Sequence, residues 1–84
     1  MSAFLELKEQ LNKLRQRKLE LTLSADASIK AAKDILATSG MGIVPISEID
    51  LQSARLHLDH AIKDQIELAE VLGSMRRLER ELGQ

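Results

Sequence analysis

Cysteine, tryptophan and tyrosine are absent from this chain of 84 residues; phenylalanine occurs once, at Phe4, and proline once, at Pro45. Without cysteine there is neither a disulfide nor a thiolate metal ligand. A single aromatic argues against a platform for stacking nucleobases, and against the aromatic-walled pockets that hold most small ligands. Charge of one sign is also lacking: 12 Lys and Arg against 13 Asp and Glu leave a net charge of -1. No global field therefore recruits nucleic acid or an anionic membrane. No apolar run approaches the ~18 residues of a spanning helix. The start, MSAFLELKEQ, puts Glu6 and Glu9 where a secretory leader has a basic region and an apolar core, so a cytoplasmic location is expected.

What is present is helical material. Leu, Ala, Glu, Lys and Arg dominate, and the chain is long enough for one small domain. Between Ser2 and Ser39 there is no Gly or Pro, and Phe4, Leu7, Leu11, Leu14, Leu21, Ala25, Ile29, Ala32 and Leu36 recur at spacings of three and four. That is the period of an amphipathic helix, with Lys18 the one charged intruder on its seam. The segment LSADAS at 23–28 contains capping residues but no breaker, so one continuous helix is expected over about 3–38.

SGMGIVPISEID, residues 39–50, is the only stretch that cannot be helix throughout. The spacing of its two glycines matches no phosphate-binding loop, and Gly40 fits the left-handed residue that closes a helix. A loop is expected over about 39–46. A second helix follows over about 47–82, with Ser47 as N-cap, Asp50 as the acid of a capping box, and Ile46 and Leu51 as a hydrophobic staple. Leu51, Ala54, Leu58, Ala61, Gln65, Leu68, Leu72, Met75 and Leu82 carry its seam. Gly73 is tolerated inside it, Arg76, Arg77 and Arg80 suit its C-terminal dipole, and Gly83 ends it.

Two arms of this length, each about 54 Å as helix, joined by a short loop form an antiparallel hairpin. If the bend centres on Ile43, facing residues have numbers adding to about 86. Ala32 then meets Ala54, Ala25 meets Ala61, Leu14 meets Leu72, Leu11 meets Met75 and Phe4 meets Leu82. Small faces small and large faces large. A polar layer at Lys18 and Gln65 separates an alanine half near the loop from a leucine half near the termini.

Leu5, Leu19, Leu23, Ile49, Leu56, Ile62, Ile66, Val71 and Leu78 lie off this seam, and two helices cannot cover them all. Large apolar side chains are worth ~1.5 kcal/mol or more each when buried. Self-association is the simplest remedy, so a homodimer forming a four-helix bundle is expected, with another helical protein as the alternative partner. Leu19, Leu23, Leu56, Ile62, Ile66, Val71 and Leu78 are the candidate oligomer interface.

Met41, Ile43, Val44 and Ile46 are too apolar for a free loop. They are expected to fold over the bundle end, and they are also the candidate lip for a protein partner. Lys13, Arg15, Arg17 and Lys18 form the densest basic run and are the candidate contacts for nucleic acid, the alternative function. Glu67 and Glu70 come level with Arg17 and Lys18, so ion pairing across the hairpin is the expected use of that run. His57, His60 and Asp64 share a helical face in the manner of metal ligands. The paired Glu-x-x-His motifs of di-metal bundles are missing, however, so no metal, no cofactor and no catalytic residue is expected. The expected function is that of a non-enzymatic structural, adaptor or regulatory protein-binding module.

Overall fold

The computed structural model describes residues 3–37 and 44–83, and these are helical almost throughout. Helix α1 runs Ala3–Ala37, a single 3-10 turn covers Ile46–Glu48, and helix α2 runs Leu51–Glu81; no strand occurs among the described residues. The helices lie side by side in a body measuring 63 × 17 × 14 Å. Their direction is fixed by contacts across the pair. Arg17 bonds Glu67 and Ser24 bonds Asp64, so rising numbers on α1 meet falling numbers on α2. The level expected from residue numbers lies midway between these two contacts.

The core is concentrated at one end. Leu11, Leu21, Val71, Met75 and Leu78 form one buried cluster, with Leu7, Leu14, Leu68, Leu72 and Leu82 packed against it. Toward the loop the buried residues are Ala32, Ala54 and Ala61, with Ala25 half-buried. Large residues thus pack near the termini and small ones near the bend. The Phe4–Leu82 layer does not close: Phe4 is half exposed, with the Lys8 ammonium 5.1 Å from its ring centre.

The seam differs from the expected one in phase. Burial follows Leu7, Leu11, Leu14, Leu21, Ala25, Ser28, Ala32 and Ile35 on α1. On α2 it follows Ala54, His57, Ala61, Asp64, Leu68, Val71, Met75, Leu78 and Leu82. Both follow the heptad in steps of three and four, except that the exposed Lys18 leaves one step of seven between Leu14 and Leu21. Ile29, Leu36, Leu51 and Leu58, expected inside, are exposed, and Gln65 is exposed as well. The leucine-rich half sets the rotation of each helix, and a continuous helix carries that phase into the alanine half. Bringing Ile29 and Leu58 inward would require twisting both helices away from the leucine layers.

The start of α2 is also corrected. Ser47 lies in the 3-10 turn, and the N-cap is Asp50. Asp50 accepts the Ser53 backbone N–H at 3.0 Å through Oδ1 and the Ser53 hydroxyl at 2.6 Å through Oδ2. Two bonds to one residue outcompete the single weak box open to Ser47, whose reciprocal acid is the short Asp50. Ile49 takes an extended backbone (φ -80, ψ 128), which separates the 3-10 turn from α2. The staple is absent: Ile46 is 78% exposed and Leu51 is exposed too. At the other end Gly83 adopts φ +76, and its N–H reaches the Arg80 carbonyl at 3.1 Å. That left-handed residue closes the helix as expected.

Candidate functional site

The flanks of the heptad seam give the hairpin two unlike faces. On the first, Arg17, Ser24, His60, Glu67, Ser74 and Glu81 recur at sevenfold spacing beside the core. Arg17 Nε and Nη2 donate to the two Glu67 carboxylate oxygens at 2.7 and 2.9 Å, and Glu20 stands 4.0 Å from Arg17 Nη1. The hydrogen bond to Arg17 holds the Glu67 carboxyl below its ordinary pKa and raises that of Arg17 in return. Ser24 Oγ donates to Asp64 at 2.6 Å. On this face Arg17 with Glu67, and Ser24 with Asp64, are engaged across the hairpin.

The opposite face is apolar over the half nearest the loop. Ile29, Leu58, Ile62, Ala25, Ala61 and Leu68 line one open groove, and Ile29, Leu36 and Leu58 continue it toward the bend. Leu51, one heptad before Leu58, extends the same column. Toward the termini the face turns basic. Arg15 and Lys18 border a depression with Leu19, Thr22 and Glu79, and Arg76 lies two heptads beyond Ile62 on this side. No ion pair of Arg15, Lys18 or Arg76 occurs among the described residues.

The candidate interface residues divide accordingly. Val71 and Leu78, 7% and 8% exposed, belong to the hairpin's own core and have nothing left to offer a second chain. They occupy the true heptad seam, adjacent to the positions read as its centre. Leu19, Leu23, Leu56, Ile62 and Ile66 are exposed. Ile62 and Leu19 lie on the apolar-to-basic face, Leu23 and Ile66 lie further round their helices at heptad positions that point away from the core, and Leu56, one heptad before Lys63, lies toward the other face. Sequence reading missed Ile29, Leu36, Leu51 and Leu58 as surface residues. The sevenfold spacing of Leu14 with Leu21, which continues to Ser28 and Ile35 and leaves Ile29 and Leu36 outside, was the available signal.

The basic run does not form one patch. Lys13 lies beside Ser74 and Arg77, Arg15 and Lys18 lie near Glu79 on the other side, and Arg17 is held by Glu67. Met41 and Ile43 fall outside the described residues, Val44 is half-buried and Ile46 is exposed. His57 and Asp64 lie on the seam, with Asp64 accepting from Ser24, and His60 is exposed; among the described residues no cluster of three or more such side chains could hold a metal ion. Among the described residues, too, no helix is long and apolar enough to cross a membrane. No family model, no curated protein and no solved structure matches the chain.

Proposed function

We propose that the protein is a non-enzymatic protein-binding module, structural, adaptor or regulatory in role, that works as a self-associated helical bundle. The observation supporting this reading is the gathering of Ile29, Leu36, Leu58 and Ile62 on one side of a hairpin whose other side is polar. An isolated apolar residue on a surface is ordinary, whereas a contiguous apolar strip along two helices marks an interaction surface. Packing two such strips together makes a four-helix bundle with the self-paired polar faces outward. The proposed location is cytoplasmic. Sedimentation equilibrium or multi-angle light scattering on the purified chain tests the reading. A mass of twice 9.4 kDa, or a higher multiple, is the expected result. A monomer at all concentrations up to those of tight packing would remove it.

A further inference from the structure

Resting on that reading, we infer the geometry of the association. A second copy packs on the Ile29–Leu58 face about a two-fold axis perpendicular to the hairpin's long axis. Helix α1 then lies antiparallel on α1 of the other copy, and α2 on α2. Two independent features of the chain carry this.

The first is area, which selects a large occupant. The chain exposes 6475 Å², whereas a compact monomer of its mass exposes about 5,000 Å². The surplus of roughly 1,500 Å² exceeds the ~800 Å² that each partner contributes to a standard interface. A second copy of the same strip is an occupant of the right length and apolarity.

The second is charge, which selects the orientation. On α1, Asp26 and Lys33 border the apolar groove on either side of Ile29. A perpendicular two-fold axis at Ile29 brings together residues of α1 whose numbers add to about 58, given antiparallel helices of equal rise. Asp26 then meets Lys33 of the partner subunit, Lys33 meets Asp26 of the partner subunit, and Ile29 packs on its own copy. At that level on α2, Arg55 and Asp59 (3.9 Å apart within one chain) stand beside Leu58, so opposite charges again lie across the axis. The basic end carrying Arg15, Lys18 and Arg76 projects away from its counterpart. The other face-to-face arrangement, with the axis along the hairpin, lays α1 on α2 of the partner at the same level. It sets Asp26 against Asp59, Lys33 against Arg55, and one basic end against the other. Like charges across an interface select against it.

The test uses the intact chain. Where wild type is dimeric, Asp26→Lys and Lys33→Asp are each expected to weaken the dimer about tenfold at low salt, since two exposed pairs become repulsive. The double exchange, D26K with K33D, is expected to recover most of the loss. Asp26 and Lys33 are exposed, so these variants keep the hairpin, which its helical circular dichroism checks. Because the chain has no cysteine, Gln16→Cys gives a single attachment point for a spin label. The perpendicular axis separates the two labels by about 40 Å along the bundle, and the parallel axis keeps them within about 20 Å. A short label distance, a tighter dimer from Asp26→Lys, or no recovery in the double variant overturns the geometry while leaving self-association standing. A monomeric wild type overturns both. Ile29→Lys is expected to give a folded monomer, while Leu23→Lys stays dimeric; equal effects of the two would also overturn the geometry.

Discussion

Ala54→Leu is the sharpest test of how the two helices meet. Ala54 is 3% exposed, and Ala32, level with it on α1, is 1% exposed. The contact is small on small with no polar group involved. A leucine there adds three carbons to a layer where both side chains are already buried. Ala25 and Ala61 line the open groove, so a larger side chain at either can turn outward, but Ala54 does not line it. The extra atoms must push α2 away from α1 or sit off rotamer. Overpacking of this kind costs about 1–3 kcal/mol, against a gain of up to ~2 kcal/mol available only where the added carbons find space. In a domain of this size, each kcal/mol shifts the melting temperature by about 4–8 °C. The assay is thermal melting followed by helical circular dichroism at one fixed protein concentration, which matters for a chain that self-associates. The control is Ala27→Leu, at an exposed helical position where leucine is nearly as good a helix former as alanine, and there the change is expected within about 0.5 kcal/mol. If Ala54→Leu melts at or above wild type with its helicity intact, the alanine layer is not a close contact and the register is wrong.

Three further outcomes follow from local geometry. Asp50→Ala is expected to cost about 0.5–2 kcal/mol in denaturant melts through loss of the cap, while Ser47→Ala stays within about 0.5 kcal/mol; the reverse order would restore Ser47 as the cap. Gly73→Ala is expected to raise stability by about 0.5–1 kcal/mol, since a Cβ there meets nothing within 4 Å and glycine is a poor residue inside a helix; a lowered melting temperature would show that Gly73 contacts something in the assembled protein. Asp50 and Glu67 are both held below the usual carboxylate pKa, by Ser53 and by Arg17, so the stability they supply is complete above about pH 5 and is lost as pH falls through their lower folded values. Asp50→Asn and Glu67→Gln are each expected to flatten the loss of melting temperature between pH 5 and pH 2, whereas an acid limb identical to wild type would detach these groups from stability.

The helices, their antiparallel pairing and the level at which they meet were legible from Gly and Pro placement and from the facing of small and large residues. The Arg17–Glu67 pair was legible too, because it follows from that level alone. The seam's phase was not. In the alanine half, steps of three and four pass equally well through Ala25, Ile29, Ala32 and Leu36 or through Ala25, Ser28, Ala32 and Ile35. Apolarity favours the first path. The helix cannot follow it, because Leu11, Leu14 and Leu21 have already fixed which side faces α2. The N-cap was misplaced for a related reason. Ser47 fits a local pattern, but Asp50 gains two bonds from Ser53, and the chain selects between competing caps by the number of donors satisfied.

The competition between the two paths has a physical meaning. A sequence that keeps Ser28, His57 and Asp64 at seam positions while placing Ile29, Leu36 and Leu58 beside them gives the loop half little apolar burial within one hairpin. The terminal half has its cluster of Leu11, Leu21, Val71, Met75 and Leu78 within one hairpin. The alanines of the loop half contribute close approach but few carbons, so its stability has to come from what covers Ile29, Leu58 and Ile62. The two ends of one hairpin therefore answer to different demands, the leucine end to folding and the alanine end to association. If so, amide exchange in residues 22–36 and 51–65 should slow as protein concentration rises through the association range, while residues 7–21 and 68–82 exchange at rates that depend far less on it. Uniform protection at every concentration would mean that the hairpin is equally stable along its length, and the division of labour between its halves would be wrong.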